Sequence, residues 1–378
     1  MKEKEEQAIS RQMKGSLLLF LTFGVLLIFL LFIPSILTWI SFSVSLLLTG
    51  YLLFQLKRDD GGPQKRRLPS LFSVILLVLP FLFGGVVAVQ GYPGEAVFSL
   101  TVIAVGLTMT FWNNFLTMPL AVYHKRKETR KEPLRFPPEI SVIVPAYNEE
   151  EGLRRTLEGI LEADYPSEKK EVIVVDDGST DRTLAVASLY RKRGIKVYHK
   201  EHGGKYSAIN YGLKFAHGEI IITVDADSII GRRALKELVK NFQDPEVAAA
   251  CGNIKVLNRE NWITRCQALE YILGINILRR ALDVFGAVTV VPGGLGAFRK
   301  EILEGGGLYD KDTLTEDFDV TVKTLKTGRI VQASSYALAY TQAPKTLKSL
   351  YKQRMRWYTG NLQTLIKHRD AFLNPRFD

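Results

Sequence analysis

Glu171-Val-Ile-Val-Val-Asp176-Asp177-Gly178-Ser179-Thr180-Asp181 reads as a short β-branched strand that stops at two adjacent carboxylates and a glycine turn. It has companions on both sides. Ile140 to Val144, Ile195 to Tyr198 and Glu219 to Val224 are similar apolar runs, and amphipathic helices are predicted between and after them near 149 to 162, 181 to 193, 204 to 216 and 231 to 243. Strands that alternate with helices predict an α/β domain with a mostly parallel sheet. Their lack of strict polar alternation predicts that both faces are covered. Ligands of such sheets bind beyond the carboxyl ends of the strands, so the residues there carry the functional reading.

Past the first strand come Pro145-Ala146-Tyr147-Asn148-Glu149-Glu150, and neither this stretch nor the Asp-Asp-Gly turn contains the GxGxxG of a dinucleotide fold. Asp181 reads equally well as a helix N-cap, and Gly178 as a turn residue. Adjacent carboxylates such as Asp176 and Asp177 repel each other, which a fold tolerates more readily where a ligand's donors are bound. The fourth strand ends in Thr223-Val224-Asp225-Ala226-Asp227. In extended chain, carboxylates at i and i+2 leave on the same side, and such a pair of hard oxygen ligands suits Mg²⁺ or Mn²⁺ bridging to a diphosphate.

Outward from this domain the chain changes character. The 378 residues are 47% hydrophobic, too apolar for disorder, and carry a net charge of +11. A nucleic-acid binder is the first thing such a charge suggests, but its placement argues against one. Segments 1–15, 57–67 and 124–135 hold 4, 5 and 6 basic residues against 3, 2 and 2 acidic ones, all beside apolar blocks. Residues 16–56 contain no Asp, Glu, Lys or Arg and are broken by Pro34 and Ser35, while 68–123 contain only Glu95, inside a turn. Four membrane spans are predicted, at about 16–33, 35–56, 68–90 and 96–123, after a cytoplasmic N-terminus at 1–15. The basic loops place both ends of this unit in the cytoplasm, and with them a basic linker at 124–137 and everything that follows. The implied localisation is multi-pass in the plasma membrane. Cys251 and Cys266 form no disulfide framework or zinc pattern and are expected to be buried packing residues.

Six motifs in order, Pro145 to Glu149, Asp176-Asp177-Gly178, Gly203-Gly204-Lys205 with Asn210, Asp225-Ala226-Asp227, Thr315-Glu316-Asp317 and Gln353-Arg354-Met355-Arg356-Trp357, resemble the membrane-embedded family 2 glycosyltransferases. That family includes cellulose, chitin, hyaluronan and poly-N-acetylglucosamine synthases. The resemblance covers residues 138 to 370, and the stretch Cys251 to Tyr271 looks most like the poly-N-acetylglucosamine branch. It implies a GT-A-like nucleotide-sugar-binding domain at 138–344 and an amphipathic interface helix within 345–378. It also implies that Ala146, Tyr147, Glu149 and Asp177 hold the uridine of a UDP-sugar, with Asp176 beside them and Lys205 near the nucleotide. Asp225 and Asp227 would bind Mn²⁺ or Mg²⁺, and Asp225 would also face the donor. Asp317 would be the general base, and Glu316, Gly294 and Trp357 would approach the acceptor.

Each of these roles has a plainer alternative. Lys205 could be a solvated surface lysine, although a lysine in a Gly-Gly-Lys turn also suits a phosphate. Thr313 and Glu316 fit a capping box after a loose Gly305-Gly306-Gly307 loop. Gln353, Arg356 and Trp357 share one helical face, where Arg356 could pair with a diphosphate and Trp357 stack on a sugar. Leu347, Leu350, Tyr351, Tyr358, Leu362, Leu365 and Ile366 would make the same helix a membrane-surface element.

The expected function is therefore inverting, metal-dependent transfer from a UDP-sugar to a growing polysaccharide at the membrane. Transfer of one sugar to a polyprenyl phosphate or other lipid is the nearer alternative, and a silent scaffold or transporter subunit the more distant one. Polymer synthases of this family carry further spans after the Gln-x-x-Arg-Trp helix, whereas here the sequence stops at Asp378. A longer form or a partner subunit is expected to complete any export path, with residues 1 to 378 binding UDP but making little polymer.

Overall fold

The computed structural model describes residues 117–129, 131–286 and 288–371. All described residues belong to one compact unit. The N-terminal segment, the first three predicted spans and most of the fourth lie outside the described residues. Among the described residues no helix is long and apolar enough to cross a membrane.

A mixed eight-stranded sheet forms the centre, in the order β3-β2-β1-β4-β7-β6-β8-β5. Its strands are β1 (Ile140–Ala146), β2 (Lys170–Asp177), β3 (Lys196–Lys200), β4 (Ile220–Thr223), β5 (Ile229–Ile230), β6 (Val247–Val256), β7 (Gly296–Arg299) and β8 (Ile330–Thr341). The first four pair in parallel. Beyond them β7 runs antiparallel to both β4 and β6, and β8 is parallel to β6.

Period-two side-chain placement divides the apolar runs between two helix layers. Val142, Val144, Val172, Val174, Ile220 and Ile222 pack on one face with Leu153, Leu157 and Leu235. Ile143, Ile173, Val175 and Ile221 pack on the other with Ile209, Leu213 and Val320. Every residue of β1 and β4 is buried, as expected of strands covered on both sides.

The segment that begins the basic linker is helical from Met118 to Thr129 and buries His124 and Glu128. His124 pairs with Asp283, and Glu128 accepts the Ser335 N–H at 2.7 Å. The cysteine expectation holds for Cys251, which is buried, and fails for Cys266, which is exposed. Cys266 sits on the Trp262–Glu270 helix between the inward residues Ile263, Thr264, Gln267 and Ala268, so helical periodicity turns it outward.

Candidate active site

A cavity of about 390 Å³ opens where β4 ends. Nine of the residues singled out in the sequence line it: Lys205, Asp225, Asp227, Gly294, Glu316, Asp317, Gln353, Arg356 and Trp357. The other five, Ala146, Tyr147, Glu149, Asp176 and Asp177, stand at the ends of β1 and β2 outside its lining.

The two aspartates after β4 reach the cavity by a different route from the expected one. The strand stops at Thr223, and the Ser228 N–H donates to the Asp225 carbonyl at 2.9 Å, so Asp225 to Ser228 form a turn rather than extended chain. Lys205 lies 2.5 Å from Asp225 and 3.2 Å from Glu316. Burial opposes its charge, yet Asp225, Glu316 and Asp317 around it hold its pKa well above the usual lysine value. That pairing removes the solvated-surface reading of Lys205. A Cβ on Gly293 would stand 2.2 Å from the lysine Nζ and 3.0 Å from the Asp225 Oδ1, so a side chain there would push the end of Lys205 out of its present place.

Carboxylates crowd this end of the cavity. Burial, followed by Asp227 and Asp225, pushes the Glu149 pKa up to about 7, and burial with Asp225 raises that of Asp227. Hard oxygen donors that repel one another fit a divalent cation. Among the described residues no group of three or more His, Cys, Asp or Glu side chains is arranged to hold a metal alone. Asp225 and Asp227 by themselves would leave most of such a cation's shell to other oxygen donors.

Asp176 and Asp177 are fully buried, and the chain itself relieves their repulsion. The β2–β3 register sets His199 beside Asp176, at 2.6 Å, and Lys200 beside Asp177, at 2.7 Å. Asp177 also accepts the Gly203 N–H at 3.1 Å and the Gly204 N–H at 2.7 Å. It thus anchors the turn that launches Lys205. One oxygen of Asp176, Oδ1, is buried without a partner among the described residues. Tyr147, half exposed, stacks on His202 with ring centroids 4.2 Å apart. Asp181 accepts the Thr183 N–H at 2.9 Å and the Glu150 N–H at 3.3 Å, tying the turn to the β1 loop, while the N-cap of the helix Thr183–Leu189 is Arg182 and not Asp181.

Opposite the Asp225 turn, the helix Glu316–Lys326 begins at the cavity wall. The capping box does not form: Thr315 is the N-cap and makes no side-chain cap bond, and Thr313 Oγ1 is buried without a partner among the described residues. Gly305 and Gly306 end the helix Lys300–Gly306 instead of forming a loop. Asp317 is half-buried, and burial together with the Glu316 charge pushes its pKa up to about 6. A carboxylate poised there is ionised at neutral pH yet basic enough to take a proton.

The helix Leu347–Lys367 closes the cavity with Gln353, Arg356, Trp357 and Asn361. Arg354, to which the sequence assigned no role, bonds Glu270 at 2.6 Å and lies over the Trp357 ring at 4.3 Å. This fixes the indole. Arg279, Tyr271 and Gln342 also line the cavity and were not foreseen, since no local motif marks them. The outer face of the helix exposes Leu347, Tyr351, Tyr358, Leu362, Leu365 and Ile366.

Residues 141–307 match the sequence model of Glycosyl transferase family 2, so the chain contains a glycosyltransferase domain of that family. The chain is homologous to poly-beta-1,6-N-acetyl-D-glucosamine synthase of Staphylococcus aureus, 32% identical over 231 residues that make up 60% of this chain and 56% of the relative. The Staphylococcus epidermidis synthase is 31% identical over the same shares. This chain thus spans about half the length of these relatives. The fold is similar to that of the mannosyltransferase PcManGT from Pyrobaculum calidifontis, solved in complex with GDP-Man and Mn2+. The TM-score is 0.53 at 25% identity, covering 71% of this chain and 75% of the other. The α/β sheet is thus of the GT-A type.

Proposed function

We propose that the chain is an inverting hexosyltransferase that moves a sugar, of the N-acetylglucosamine or glucose type, from its UDP conjugate to a growing polysaccharide at a membrane. The observation that carries this reading is the cavity itself, where Asp225, Asp227 and Lys205 face Asp317 across a space closed by Arg356 and Trp357. The poly-N-acetylglucosamine synthase relatives favour the sugar and the polymer, and the Mn2+ of the mannosyltransferase favours a metal.

In this reading Tyr147, stacked on His202, offers its free face to the base, beside Ala146 and the Asp176–His199 pair. Lys205 and Arg356 draw the diphosphate between them. A divalent cation held by Asp225 and Asp227 would neutralise charge on the departing diphosphate. Trp357 stacks on the acceptor sugar, whose hydroxyl gives its proton to Asp317 as its oxygen bonds to the anomeric carbon and the bond from that carbon to the diphosphate breaks. One displacement inverts the centre, with UDP and protonated Asp317 as the other products. The long apolar runs at 16–56, without charge, and at 68–123, with only Glu95, together with the exposed apolar stripe of the Leu347–Lys367 helix, support a membrane site with this domain on the cytoplasmic side.

The test is UDP release by the full chain with a panel of nucleotide sugars. UDP formed from UDP-N-acetylglucosamine or UDP-glucose is expected, and no release from any of them would overturn the reading. Cysteines introduced at Lys65 and Gly94 check the topology, since an impermeant reagent on intact cells should label only the second.

A further inference from the structure

Asp319 is the third carboxylate of Glu316-Asp317-Phe318-Asp319, and its side chain, unlike that of Asp317, does not line the cavity. It is fully buried. Its partners come from the far end of the Leu347–Lys367 helix: Lys367 Nζ at 3.0 Å and His368 Nε2 at 2.9 Å, with Lys323 from its own helix at 3.3 Å. Asp310 joins the same group, 2.6 Å from both Lys323 and Lys367.

One turn back, the two helices meet without a spacer. A Cβ on Gly360 would lie 2.6 Å from Thr315 Oγ1 and 2.7 Å from its backbone nitrogen, and Gln363 Oε1 accepts the Leu314 N–H at 3.0 Å. The helix therefore has two working faces along its length. Its first half presents Gln353, Arg356 and Trp357 to the cavity, and its second half, through Gly360, Gln363, Lys367 and His368, grips the start of the helix that carries Asp317.

We infer that Asp319, Lys367 and His368, with Gly360, are positioning residues that fix Asp317 in register with Arg356 and Trp357. The inference rests on the reading of Asp317 as the base. A buried carboxylate needs its cations, so Asp319 can sit where it does only when the end of the other helix is docked. Asp317, two residues earlier on the same rigid turn, is then placed by a contact that neither substrate makes. A displacement of about 1 Å in such an assembly can cost about a hundredfold in rate.

The experiment measures UDP release by the full chain carrying Asp319→Asn, Lys367→Met or Gly360→Ala, alongside the number of UDP-binding sites. The expected result is a loss of about a hundredfold in kcat with donor KM and the number of UDP sites held within about twofold, and partial recovery in Asp319→Glu. A purely structural role would lower kcat only in proportion to the UDP sites that remain, and that result overturns the inference. So would unchanged kcat in Gly360→Ala and Lys367→Met, which decide the matter should Asp319→Asn fail to fold. Wild-type activity surviving in Asp317→Asn would instead refute the base assignment, and the two failures are thereby told apart.

Discussion

The strand ends that carry Glu149, Asp176, Asp177 and Asp225 lie between residues 146 and 227, on three adjacent parallel strands, β2, β1 and β4. The opposite wall draws Gly294, Asp317 and Trp357 from three later segments joined through antiparallel pairs and helix contacts. On the first side the Asp-Asp pair is partnered internally, Asp176 by the His199 ring and Asp177 by the Lys200 ammonium and backbone N–H groups. At Asp317 on the second, and where Glu149 meets the Asp225–Asp227 turn on the first, carboxylates outnumber their partners, and burial with neighbouring charge raises the pKa of Glu149, Asp227 and Asp317. In the proposed reading the partnered carboxylates would form a rigid cradle for the donor, and the unpartnered ones would mark where a proton or a cation is taken up.

If that division is right, substitutions on the two sides should fail in different ways. The largest effect is expected from Asp317→Asn, which should lower kcat by about 10²- to 10⁴-fold while UDP affinity, measured by calorimetry, stays within a few-fold. Near wild-type turnover would place the base elsewhere. Asp227→Ala, or excess chelator on the wild type, should cost about a hundredfold. In this case UDP affinity should also become independent of Mn²⁺, which activity alone would not reveal.

The pH profile should sharpen the contrast. Asp317 accepts a proton only when ionised, and its pKa is raised to about 6, so activity is present above that pH and lost as pH falls through it. kcat/KM should drop about tenfold for each further unit of acidification, and a profile flat down to pH 5 would break the assignment. The smallest effect is expected from Tyr147→Leu. Loss of one stacking face, about 1 kcal/mol, should raise the donor KM about fivefold and leave kcat unchanged.

The α/β alternation and the ends of β1 to β4 were legible because burial on both faces imposes a continuous apolar run and because ligands gather at carboxyl ends. The turn that converges Asp225 and Asp227 was not, since an apolar strand followed by Asp-x-Asp reads the same whether the chain stays extended or folds back. Nor was the service of Asp177 to the Gly203-Gly204-Lys205 turn, which depends on which strand lies next to β2.

The sequence by itself determined the class of fold, the order of its motifs and the chemistry each side chain brings, because these follow from local periodicity and residue type. Only the tertiary structure decided which of those side chains share a cavity. It also decided that Lys205 stands between Asp225 and Glu316, that Arg354 holds the Trp357 ring, and that Asp319 locks two helices whose residues lie about fifty positions apart. Pairings of that kind arise from packing across the sheet, where distance along the chain carries no information about distance in space.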